Sequence, residues 1–315
     1  MTDIIVTTLE DESATFDPID QTLLIGDLQS ETTDGDGLSL REAIQVAQND
    51  DRILFADDLS GVIRDDLSGV IRIDGAFGAI GIGTNVSIFG DDRITISGDV
   101  NGDDVVADGL TDAVATMASG SFSDNQQIFA LANSATNVLF DGLTLTGGRG
   151  TSGFGGAVDA FYSYLTVQGS TFAGNISYGG YGGGAIYTGA DLTVENSTFF
   201  DNIAIDGTNT SVGHGGGAIF FKGGDLSVIN TTFAENQALN GPNGTAASGG
   251  AIFADGGVYL NNVTITGNQS QFQGGGLFAT NGPAEARDDV AIFNSIILGN
   301  NAGVIGPGAN DELDG

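Results

Sequence analysis

The stretch GGGAIYTGADLTVENSTFFDN at residues 182–202 returns, slightly altered, as GGGAIFFKGGDLSVINTTFAEN at 215–236. A chain that repeats itself at this length folds as a stack of similar units. Aligning on Gly142, Gly169, Asn196, Asn230, Asn262 and Asn294 gives spacings of 27, 27, 34, 32 and 32 residues. Six residues after each anchor stand Gly148, Asn175, Asn202, Asn236, Asn268 and Asn300.

Apolar residues fall into columns on this alignment. Four before the anchor are Val138, Leu165, Leu192, Leu226, Val258 and Val290, and two before it are Phe140, Val167, Val194, Val228, Leu260 and Ile292. Side chains alternate along a strand, so these columns share one face. Three after the anchor are Leu145, Phe172, Phe199, Phe233, Ile265 and Ile297, beyond a bend and on a second strand. A further strand opens each unit at GGAV, GGAI or GGLF, where glycine permits close backbone approach. Short strands without helical periodicity predict an all-β, single-stranded parallel β-helix. Asn196, Asn230, Asn262 and Asn294, and Asn202, Asn236, Asn268 and Asn300, are expected to stack as structural ladders at the bends.

The alignment divides one domain, 1–315, into four parts. Residues 1–50 form an N-terminal cap and helix, and 51–136 irregular early coils with acidic insertions. Regular coils follow at 137–301, and a C-terminal loop at 302–315. The inserts 203–215 and 237–249 should project from one edge. The tandem DDLSGVIR copies, 57–64 and 65–72, do not match the repeat period and read as a protruding hairpin or loop. Residues 34–50 give the one helix, with Ser39 and Glu42 as a capping box and Leu40, Ala43, Ile44 and Ala47 as its apolar stripe. An amphipathic helix suits the open end of a solenoid.

GLSLREAI at 37–44 resembles the N-terminal CSLREAI motif of large secreted bacterial β-helix proteins, with Gly37-Leu38 where those proteins often carry Cys. GGAI alternating with FAGN, FFDN and FAEN is similar to the repeats of chlamydial polymorphic outer-membrane proteins. The resemblance covers about residues 34–300. It implies a right-handed β-helix in surface display or adhesion, and it carries over no catalytic residue.

Charge narrows the partners. The formal net charge is −33, and 27 of the 41 acidic residues lie in 1–150. Such a field repels nucleic acid and anionic lipid headgroups and favours cations. There is no cysteine, and no apolar run approaches a membrane span. The N-terminus lacks the basic and apolar regions of a signal peptide, so an extracellular or cell-surface location implies export without one in this chain.

Calcium is the expected cofactor. In DVNGDD, 99–104, oxygens from Asp99, Asn101, Asp103 and Asp104 begin a calcium-loop pattern, although Asp104 replaces the usual glycine; Asp34 and Asp36 form a weaker second site. GPGANDELDG, 306–315, resembles one degenerate calcium nonapeptide. The tyrosines Tyr162, Tyr164, Tyr178 and Tyr181, with Tyr187 close in sequence, either contact carbohydrate or a protein partner or pack between loops. His214 and Lys222 read as lone loop residues. Asp191 and Asp225 recur with the repeat, which favours a structural role over paired glycosidase carboxylates. Arg149 is the candidate base of a lyase-like site. The expected function is a non-enzymatic extracellular structural or adhesion β-helix that binds calcium and assembles end to end into fibres. Its partners would be a surface polysaccharide or a cell-surface protein. The alternative is a polysaccharide lyase, epimerase or hydrolase, or a carbohydrate-binding β-helix.

Overall fold

A computed structural model describes residues 1–11, 37–56, 69–102, 124–131, 136–151, 154–206, 215–241, 247–280, 289–303 and 313–314. The chain winds as a parallel β-helix, a 21-stranded sheet joined by a separate 5-stranded sheet. Each regular coil contributes to four stacks. The coil beginning at Tyr164 has Tyr164–Gln168 in the first, Thr171–Ala173 in the second, Ile176–Tyr178 in the third and Ile186–Thr188 in the fourth. Every recorded pairing is parallel and joins one coil to the next.

Register follows the columns read from the repeat. Leu165 pairs with Val138 and Leu192, Leu226 with Leu192 and Val258, and Val258 with Val290. Phe172, Phe199 and Phe233 align in the second stack, with ring centroids 4.8 Å apart at each step, the natural strand spacing. These side chains are fully buried and belong to one continuous core. The glycine clamps hold the backbones together. Gly183, Gly216 and Gly249 have φ of +81°, +82° and +72°, and a Cβ on the following Gly184, Gly217 or Gly250 would land on a carbonyl oxygen of the adjacent coil.

The two asparagine columns differ. Asn175, Asn202, Asn236, Asn268 and Asn300 are buried. Each Nδ2 donates to the Oδ1 of the next, at 2.9, 2.9, 2.9 and 2.8 Å. The same oxygens accept the backbone N–H of the preceding asparagine. Each amide also donates to a backbone carbonyl: that of Leu145, Phe172, Phe199, Phe233 or Ile265. Asn196, Asn230, Asn262 and Asn294 instead hold left-handed turns with φ near +50°. Their exposed amides bond at 3.1–3.2 Å from Asn196 to Asn262, and Asn294 turns to Asn261. Beside them runs a hydroxyl column: Ser170, Ser197 and Thr231 each accept a backbone N–H from the preceding coil.

The helix spans Leu40–Val46, with both capping-box bonds between Ser39 and Glu42 formed. Leu40, Ala43, Ile44 and Ala47 close the end of the core. Arg41 forms a bidentate pair with Asp11 at 2.8 Å and donates to the carbonyls of Gly78 and Ala79. Both side chains are buried. Among the described residues no helix is long and apolar enough to cross a membrane.

Strands also run through four segments outside the aligned columns. The N-terminal cap also contains a strand, Asp3–Val6, paired with Asp51–Phe55. The second DDLSGVIR copy does not wholly protrude: Val70–Arg72 pairs with 95–97 and buries Ile71, because its alternating apolar residues suit a coil. The inserts begin as strands, Ile203–Asp206 and Gln237–Asn240, before leaving the described residues. The C-terminal loop ends in Leu313–Asp314, paired with Leu277–Thr280.

Candidate functional site

Strands of the fourth stack alternate, so the residue after each inward aliphatic residue, Val158, Ile186, Ile219, Ile252 and Leu277, faces out. Those positions are Asp159, Tyr187, Phe220, Phe253 and Phe278, in direct register. The aromatic members stack at 5.4, 4.8 and 5.3 Å. Although outside the barrel, they form a second apolar cluster, with Tyr187 5% and Phe220 0% exposed. The signal was present in the sequence: GGAIYT, GGAIFF and GGAIFA are apolar at both parities, the mark of a strand covered on both faces.

Exposed rings border this column. Phe161 stacks on Tyr187 at 5.3 Å and meets Tyr162 edge-on at 4.5 Å. Tyr181 lies 6.3 Å from Tyr187 and 6.0 Å from Phe220, with the Lys222 ammonium 5.1 Å from its ring centre. Tyr162 and Tyr181 remain 61% and 43% exposed. Of the four tyrosines singled out from sequence, these two share a site, joined through Tyr187. Tyr164 heads a first-stack strand and Tyr178 ends a third-stack strand.

Asp159 stands at the foot of the column. Burial raises its carboxyl above the usual range, while the Phe161 N–H at 3.2 Å opposes the shift. Burial, then the neighbouring Asp159 charge, pushes the Tyr187 phenol up. The result is a row of apolar rings with two accessible tyrosines, one ammonium and one carboxyl that resists ionisation. Such a surface can stack on the apolar faces of sugar rings or on aromatic side chains, and its polar tips can take hydrogen bonds.

The other candidates have structural partners. Asp191 accepts the Asp225 N–H at 2.9 Å, binding one turn to the next. Asp99 accepts the Gly102 N–H at 2.8 Å and faces the Arg72 guanidinium at 3.4 Å. Asn101 lies in the same turn. Arg149 sits in the small sheet, in register with Ile176. Asp34, Asp36, Asp103, Asp104 and His214 lie outside the described residues. A groove of about 170 Å³ on the outer face of the first stack is lined by Asp50, Asn85, Ser87, Asn137, Leu139 and Thr166, among others, with a single carboxylate.

Comparison with protein-family models, with curated proteins and with solved structures returns no match for this chain.

Proposed function

We propose that this protein is a non-enzymatic structural or adhesion module of an extracellular or cell surface, and that it contacts a neutral polysaccharide or a surface protein through the Tyr162–Tyr181 face. The observation that carries this reading is the aromatic column with two accessible tyrosines at its border. The resemblance of GLSLREAI and the GGAI repeats to secreted β-helix proteins agrees with it. So does the structural employment of Asp191, whose carboxylate accepts the Asp225 N–H and ties one turn to the next.

The experiment is titration calorimetry against a panel of neutral polysaccharides, with the products analysed for new chain ends. Binding without cleavage is expected, weakened about tenfold in Tyr162→Ala/Tyr181→Ala, since each ring contact contributes roughly 0.5–1.5 kcal/mol. New chain ends, or binding indifferent to both tyrosines, would overturn the proposal. Calcium stays in the proposal as the cation for the acidic loop at 99–104. Repeating the titration with millimolar calcium tests that component, and no calcium heat removes it.

A further inference from the structure

The aromatic column of the fourth stack ends on an acid. Gly81, Ala130 and Asp159 lead, in register, into the rings that begin at Tyr187. The first two of these positions carry a hydrogen and a methyl. Gly81 is exposed, and a Cβ there would meet nothing within 4 Å. Asp159 thus stands at a step, with a shallow shelf on one side and a wall of rings on the other.

The charge of Asp159 has no counter-ion. The carboxyl is half-buried and accepts the Phe161 N–H at 3.2 Å, and among the described residues no lysine or arginine pairs with it. Burying a carboxylate is costly without an opposite charge, which is why its proton is held above the usual range. The rings beside it are fixed in place. Phe161 lies almost parallel to Tyr187, 8° off at 5.3 Å, and Gly189 makes room for it, since a Cβ there would come 2.8 Å from the Phe161 ring. Tyr162 meets Phe161 edge-on at 4.5 Å. Ring faces are negative, so a carboxyl among them completes the chemistry that holds an organic ammonium ion. The fold uses half of that chemistry on itself two coils away, where the Lys222 ammonium lies 5.1 Å from the Tyr181 ring centre.

We infer that Asp159, Phe161, Tyr162 and Tyr187 form a site for the charged amino group of an amino sugar, on a polysaccharide lying along the column. The inference rests on the polysaccharide reading of the tyrosine face and adds one group to that ligand. Charge selects the group. The site offers a carboxylate and negative ring faces, and a chain of net charge −33 draws cations and repels anions. The column selects the polymer. Its rings recur coil after coil, a repeating platform for a repeating chain, whereas a lysine side chain from a protein would use one ring pair and leave the rest of the row idle. The Gly81–Ala130 shelf leaves room for the chain to continue past the acid.

The test is titration calorimetry of the full chain near neutral pH, in about 0.15 M salt to screen the general acidic field. The probes are glucosamine oligomers and N-acetylglucosamine oligomers of equal length. The free-amine form should bind about tenfold tighter. Asp159→Asn keeps an acceptor for the Phe161 N–H, so it should remove that preference and leave the affinity for the acetylated form unchanged. Ala130→Lys places an ammonium at the next register position and should remove the preference by occupying the acid from within. Equal binding of both forms by wild type would overturn the inference. So would a preference that survives Asp159→Asn, which would mark the general field rather than this site, or binding of a lysine peptide where the amino-sugar oligomers fail. Acetylated or other neutral chains bound with no amine preference remove only this site and leave the tyrosine reading standing. Amine binding that depends on Asp159, with no affinity for neutral chains, keeps the site and removes the neutral ligand.

Discussion

A buried asparagine is a costly residue unless every hydrogen-bonding position is filled. In Asn202, Asn236 and Asn268 they are filled by the coils above and below, which makes each side chain a rivet between neighbours. Asn236→Ala would orphan one N–H of the Asn202 amide and the Asn202 backbone N–H together, at about 1–3 kcal/mol for each stranded group. A loss of roughly 3 kcal/mol or more is expected in denaturant unfolding. Asn230 fills a left-handed turn in solvent, where glycine serves as well, so Asn230→Gly should change stability by less than about 0.5 kcal/mol. The sequence displays both columns with the same letter and period. What separates them is exposure and backbone sign, which only the winding of the coil decides.

Strands were legible where their inward residues are large. The first, second and fourth stacks carry Val, Leu, Ile and Phe at fixed positions, and their register follows the alignment. The third stack was not legible. One of its buried columns is small, Ser177, Ala204, Ala238 and Ser270, and the columns beside it mix apolar with polar residues, Arg149, Ile176, Ile203 and Gln237 in one and Thr151, Tyr178, Ile205 and Leu239 in the other, so no apolar type holds a fixed position from coil to coil. The capping helix was legible from Ser39 and Glu42, but the clamp that seats it was not, because Asp11 and Arg41 are thirty residues apart. Removing one partner of a buried pair strands the other charge, at about 3–5 kcal/mol. Arg41→Ala should therefore unfold at markedly lower denaturant than wild type. If the helix docks independently of that pair, the two midpoints will coincide.

Across the whole molecule, the acidic excess sets how stability responds to pH. Asp141 is raised above the usual 3.8 by burial first, and then by Asp92 and Asp91 across the corner. The folded state therefore holds that proton better than the unfolded chain. Stability contributed by the neutral form is present below the ordinary aspartate range and is lost as pH rises through the raised value. Asp141→Asn should accordingly raise the melting temperature at pH 7, with the gain vanishing below about pH 3.8 and shrinking in salt. A gain independent of pH would point to packing rather than charge.

The asparagine rivets also make the molecule a ruler. Among the described residues from Asn175 to Asn300, each coil is joined to the next by the same asparagine bonds, so length there is counted in whole units. Gln237 stands in register with Ile203, so excising residues 203–236 would bring Asn202 to a residue of the same column. The rod would shorten by one graduation of about 4.8 Å, and every remaining joint would close as before.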